Sequence, residues 1–245
     1  MLISLPWLCA LPISTAIVPA AQAGGSDAVA LDREDAPLPA ARTPFTDLFA
    51  CDARWLVPSQ RFAKWRDMTE RAARNGGPSN PGWTNLISRL SYASPRDQID
   101  GVQGAFNGIP YNSDSNVWGV DDYWASPVEL LQRAQGDSED IAIAKYYALR
   151  ALGFSADKMR ILVHQPGLGR VPEALLLVAD SGAVLELNWE GGARLFQRGY
   201  NRRELYSLNE KYVWMHHQRE EPPDTTSSGQ IAETPAIDMR PDVVR

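Results

Sequence analysis

The run Gly136-Asp137-Ser138-Glu139-Asp140-Ile141-Ala142-Ile143-Ala144-Lys145-Tyr146-Tyr147-Ala148 constrains this chain more than any other segment. It reads as a helix with a defined start. Asp137 is a good N-cap, and Asp140 follows three residues later in the spacing of a capping box. The acids crowd the first turn, where the helix dipole favours negative charge. The body is rich in alanine and slender enough to be buried. Gly153 then supplies the residue type that ends helices in a left-handed turn. Ser138 therefore stands at the N-terminal end of a buried helix. A buried helix has to be wrapped by other elements, so its flanks decide the fold.

The segments before it read as helical. Ser59–Asn75 carries Phe62, Trp65 and Met68 at helical spacing and stops at Gly76-Gly77-Pro78. Helices are also expected over Trp83–Leu90, over Pro95–Phe106 with Ile99 and Val102 inward, and over Pro127–Arg133. In the last, Ser126 is the N-cap and Pro127 takes the favoured first position. The segments after it read as strands: Met159–Gln165, Glu173–Ala179, Ala183–Trp189 and Lys211–His217. Asp180-Ser181-Gly182 is a hairpin signal. With Ser181 and Gly182 as a two-residue loop, Glu173, Leu175 and Leu177 share a face with Glu186, Asn188 and Glu190. Helices first and antiparallel strands afterwards predict an α+β domain.

The bulk numbers exclude some roles. A net charge of −6 with no basic run leaves no surface for neutralising phosphates, so nucleic-acid binding is set aside. Leu2 to Pro19 is apolar and uncharged, and Ala21-Gln22-Ala23 follows as a small-x-small cleavage site, so residues 1–23 read as a secretory signal. Its start lacks Lys and Arg; the alternative is a mis-assigned start codon or a retained anchor. Removal of the signal takes Cys9 and leaves Cys51, which cannot form an internal disulfide and is far in sequence from any His. Packing or exposure is the expected role of that thiol. Residues 24–42 and 218–245 are poor in large apolar groups and read as a linker and a disordered tail, leaving 43–217 as the folded domain.

A resemblance then appears. Asp122-Tyr123-Trp124-Ala125-Ser126-Pro127, followed by Gly136-Asp137-Ser138-Glu139-Asp140 and Ala142-Ile143-Ala144-Lys145-Tyr146, resembles the signature of the bacterial transglutaminase-like cysteine proteinases, the family of the LapG-type periplasmic proteases. Tyr111, Asp114, Trp118 and Gly119 fit upstream. The resemblance spans about residues 45–217. It implies a papain-like core with N-terminal helices packed on an antiparallel sheet. It also implies a Cys-His-Asp triad, in which a thiolate at a helix N-terminus is activated by an imidazolium that the Asp orients.

This chain departs from that pattern at each triad position. Ser138 stands where the cysteine is expected. The histidine falls on Glu173. The aspartate falls on Asn188, or on Glu186 if the hairpin loop slips. A serine hydroxyl needs a base, and a glutamate serves as one only if burial raises its pKa. The mature chain holds three histidines, His164, His216 and His217, any of which could approach Ser138 in space.

In the family, acids flanking the cysteine bind calcium, which by resemblance makes Asp137 and Glu139 candidate Ca2+ ligands, with Asp140 and main-chain carbonyls able to complete a site. The plainer reading of these acids is helix capping. The family's partners are a cyclic-di-GMP receptor of the inner membrane and a large surface adhesin, the biofilm setting. Three readings follow: a periplasmic or secreted pseudoenzyme that binds without cutting, a residual hydrolase using Ser138, and an inert structural envelope protein.

Overall fold

The computed structural model describes residues 44, 45, 48, 51–75, 80–197 and 202–218, with the backbone alone for 51–57, 217 and 218. The expected signal, linker and tail, the Cys51 thiol and the His217 ring lie outside the described residues. Five helices appear in the front half: α1 (Ala63–Arg74), α2 (Pro81–Leu90), α3 (Pro95–Phe106), the short α4 (Asp114–Val117) and α5 (Pro127–Arg133). The starts of α2 and α3 follow one recipe: an Asn80 or Ser94 cap whose side chain accepts a backbone N–H, then proline at the first position. α5 adds a full capping box between Ser126 and Glu129. The expected helix from Ser59 begins instead with a 3-10 turn over Ser59–Arg61, and α1 starts after Phe62.

The helix α6 (Ser138–Ala151) is capped by the Asp137 side chain, which accepts the Asp140 N–H. Ile141, Ile143, Tyr146 and Leu149 on it are all fully buried. It is sandwiched between the other helices and the sheet.

The sheet has seven antiparallel strands in the order β1-β7-β6-β2-β3-β4-β5. Four were expected with nearly these bounds: β2 (Met159–Gln165), β3 (Glu173–Asp180), β4 (Ala183–Leu187) and β7 (Tyr212–Gln218). Three were not: β1 (Cys51–Pro58), β5 (Arg194–Leu195) and β6 (Arg203–Leu208). The hairpin between β3 and β4 turns on Ser181 and Gly182, both at positive φ (47° and 83°), the geometry that a two-residue loop demands. Among the described residues no helix is long and apolar enough to cross a membrane.

The two faces of the sheet are packed differently, and strand alternation sorts them. Ile161, Val163, Ala174, Leu176, Val178, Leu185 and Leu187 join the large core that also holds Ile141, Ile143 and Leu149 of α6. This is the front face. Leu162, Leu175, Leu177 and Ala179 form a smaller cluster with Phe45 on the rear face. There the buried Arg160 guanidinium lies 4.7 Å from the Phe45 ring centre and 3.6 Å from that of Trp214.

Candidate active site and cation cluster

Ser138 is 1% exposed, at the first turn of α6 where the helix meets the start of β3. Its Oγ accepts the Ala174 N–H at 2.9 Å and donates to Glu139 Oε2 at 2.7 Å. The backbone around it is pinned. A bridge between Tyr111 and Gly136 brings residues 110–114 against the helix start, with Asn112 N–H donating to the Gly136 carbonyl at 2.9 Å. A Cβ on Gly136 would stand 2.7 Å from both Asp140 Oδ2 and Leu130 Cδ1, so a side chain here would have to displace both. Beneath, the fully buried Lys145 donates to the Asn188 carbonyl at 2.5 Å and ties α6 to the end of β4. Burial pulls its ammonium down to about 7.

Three carboxylates gather beside Ser138. Asp114, Asp137 and Asp140 each bring an oxygen within 4.8 Å of the others. Asp114 is held by the Tyr123 N–H, and Asp140 Oδ1 by the Ala125 N–H at 2.7 Å. Asp114 Oδ1 and Asp140 Oδ2 are buried with no hydrogen-bond partner. Burial, then the neighbouring negative charges, pushes the Asp137 carboxyl up to about 10; burial is also the leading cause for Asp140, at about 8, and for the upward shifts of Asp114 and Glu139. Buried, mutually repelling carboxylates with free oxygens are what a divalent cation compensates, and hard oxygen donors are what calcium takes. The trio can hold such an ion. Glu139, the other expected ligand, points its carboxylate at Ser138 Oγ in this structure.

The loop over the site is fixed from α1. Arg71 pairs with Glu129 at 3.1 Å and donates to the Trp124 carbonyl at 2.6 Å, while the Tyr123 hydroxyl donates to Glu129 at 2.9 Å. At the mouth the half-exposed Tyr111 lies 5.0 Å from Trp189, centre to centre. Burial raises its phenol first; Asp137, Glu139 and Glu173 add to the shift, so all three carboxylates act on this mouth.

The expected triad positions lie around the start of β3 and the end of β4. Ala174 belongs to the front core, and it is its backbone N–H that meets Ser138 Oγ. Glu173 opens β3, paired in register with His164, and its carboxylate acts on Tyr111 at the mouth. Glu186 faces the rear, where Arg194 and Arg202 bind its carboxylate. Asn188 Oδ1 accepts the Trp189 N–H at 2.7 Å, closing a turn of its own, while its carbonyl receives Lys145.

The described histidines are on the rear as well. His164 follows the Arg160 and Leu162 alternation and feels Arg202. His216 bonds Ser207 Oγ at 3.0 Å, and Ser207 pairs with Leu162. Among the described residues, no imidazole shares the face of Ser138.

The residues that surround Ser138 are also those a family model matches. The bacterial transglutaminase-like cysteine proteinase model covers residues 91–221. The chain belongs to that family. Comparison with curated proteins finds no match. Among solved structures, Legionella pneumophila LapG is similar at 26% identity and TM-score 0.49, covering 61% of this chain and 86% of that one. Its calcium-bound form matches at 27% identity and TM-score 0.49 over the same shares. The EGTA-treated form matches at 25% identity and TM-score 0.49, covering 64% and 87%. The family assignment agrees with the α+β architecture: helices, then an antiparallel sheet, with the nucleophile position at the head of a buried helix. Asp114 is the site residue that sequence reasoning left without a role. It fitted the upstream pattern, but only the bridge from Tyr111 to Gly136 brings it to the helix start.

Proposed function

We propose that this chain is an exported, non-cutting member of the family that holds a calcium ion and acts by binding a protein partner. One observation carries the non-cutting part: Ser138 and the two described histidines lie on opposite faces of one sheet. A serine without a positioned imidazole is a poor nucleophile, and loss of one triad member costs on the order of 10⁴–10⁶ in rate. The apolar scaffold, the loop over the site and the acids persist around the changed triad. This supports a retained binding surface. The partners to try are those that the family resemblance implies, the periplasmic domain of a cyclic-di-GMP receptor and an adhesin-like substrate.

Asp114, Asp137 and Asp140 are the ligands assigned to calcium, on the strength of their clustering and of the unbonded buried oxygens of Asp114 and Asp140. The test is a thermal melt of the protein in excess calcium and in excess chelator. A ligand that binds only the folded state adds about 2.7 kcal/mol at 100 times its dissociation constant. A rise of several degrees that Asp137→Ala abolishes supports the cation. Equal midpoints would reduce these acids to helix caps. A pull-down that recovers neither partner, with or without calcium, would sink the binding role.

A second reading, residual hydrolysis, is favoured by the 2.7 Å bond from Ser138 Oγ to Glu139, a carboxylate whose pKa is raised by burial. It predicts turnover that both Ser138→Ala and Glu139→Gln remove.

A further inference from the structure

The mouth of the Ser138 site holds side chains that the calcium cluster does not use. Tyr111 and Trp189 lie 5.0 Å apart, centre to centre, with their planes tilted by 44°. Tyr111 is half-exposed, and its backbone bridges to Gly136, two residues before Ser138. The four charges that act most on its phenol are all carboxylates, those of Asp137, Glu139, Glu173 and Asp114. Asp114 and Asp137 belong to the calcium cluster, which leaves Glu139 and Glu173 to the mouth. Glu139 accepts from Ser138 Oγ at 2.7 Å, and Glu173 takes part in no ion pair among the described residues. Cations on the neighbouring elements are engaged elsewhere: Lys64 pairs with Asp122, Arg71 with Glu129, and Lys145 donates to the Asn188 carbonyl. The exposed Arg170, three residues before Glu173, pairs with neither glutamate.

The aromatic pair is also held in place. Trp189 rides on the turn between β4 and β5, where Gln103 Nε2 of α3 donates to the Asn188 and Gly191 carbonyls at 3.0 and 2.9 Å. Asn107 donates to the Gly191 carbonyl as well. A mouth fixed before its ligand arrives lowers the ordering cost of association. Aromatic faces beside carboxylates suit a cation carried on an apolar stem: the stem packs along the rings while the charged head meets the carboxylates. The exposed Val171 and Pro172 lead into Glu173, so apolar surface flanks that carboxylate and offers contact to the neighbours of the cation.

Building on the reading of this chain as a binding protein, we propose that the mouth formed by Tyr111, Trp189, Glu139 and Glu173 takes an arginine or lysine side chain on an extended segment of the protein partner. The negative, aromatic mouth and a basic segment are complementary in charge, which gives specificity. The cation at the mouth and the calcium ion beside Ser138 draw on different carboxylates, so both fit at once.

The test titrates the full chain, in excess calcium and low salt, into a short dye-labelled peptide blocked at both ends, with one arginine among small neutral residues, and reads fluorescence anisotropy. The wild type is expected to bind it about tenfold or more tightly than the same peptide with glutamine in place of arginine, an advantage that shrinks as salt is added. Glu173→Gln and Tyr111→Ala are each expected to weaken binding of the arginine peptide about fivefold or more. If Tyr111→Ala fails to fold, Glu173→Gln decides alone. Equal binding of the arginine and glutamine peptides overturns the proposal, as does a preference that survives both substitutions. A protein partner captured equally by the wild type and by Glu173→Gln with Tyr111→Ala would overturn the basic-segment assignment while leaving the binding role standing.

Discussion

The two faces of the sheet differ in what they carry, and they separate Ser138 from the described histidines. The front face meets α6, with Ser138, the acids and the largest part of the core. The rear face carries His164, His216, two buried arginine contacts and a small apolar cluster under Phe45. The difference between them is one residue of strand phase. The Ala174 N–H donates to Ser138 Oγ, and Glu173, its neighbour, is paired in register with His164. In a strand, a shift of one residue exchanges the faces completely.

The largest effect expected comes from rebuilding the pair on one face. Ser138→Cys with Ala174→His puts thiol and imidazole together. Its hydrolysis of an activated peptide ester should exceed that of Ser138→Cys alone by about 10²–10⁴-fold. Ser138→Cys with Glu173→His should gain nothing. Equal gains from both would break the assignment of faces.

Next in size is the core. Leu175 and Leu176 are both fully buried and adjacent, but on opposite faces. Leucine-to-alanine changes in cores cost about 2–5 kcal/mol, more where the site cannot collapse. Leu176→Ala should fall near the upper end, under α6 and the large cluster. Leu175→Ala should fall near the lower end, because the Phe45 segment covering it can settle inward. Denaturant unfolding of the two variants compares them.

Gly136→Ala tests the front site alone. Its Cβ would overlap Asp140 and Leu130, so a loss of about 1–3 kcal/mol is expected in the same unfolding assay, with a weaker calcium response.

A last pair of variants separates the two burials by pH. Burial first, and Arg202 second, lowers His164 to about 4, and burial lowers Lys145 to about 7. For each group the unfolded chain keeps its proton to a higher pH than the folded one, so stability rises with pH between the two values. The His164 contribution spans about pH 4 to 6.5, and that of Lys145 about pH 7 to 10.5. In melts with excess calcium, His164→Gln should flatten the acid limb only. Lys145→Met should flatten the alkaline limb only. A change in the opposite limb would mean that the two burials are misassigned.

Much of this was legible in the sequence. Caps and prolines fixed the helix starts, and the hairpin signal gave the register that places Glu173, Leu175 and Leu177 beside Glu186. What the register could not tell was which face meets α6, because that is decided by packing between distant segments. β1 and β6 were missed for local reasons. Asp52, Arg54 and Pro58 interrupt the first, and the second mixes charges with a bulge. Asp114 stayed without a role because 23 residues separate it from Asp137 and only the fold closes that gap.

The measurement that decides whether the faces truly separate nucleophile from base is hydrolysis of an activated ester by the wild type in excess calcium, against Ser138→Ala under the same conditions. The split-face arrangement predicts equal rates at the buffer background. A wild-type rate well above that of Ser138→Ala would contradict it, and would mean that a base reaches Ser138 after all.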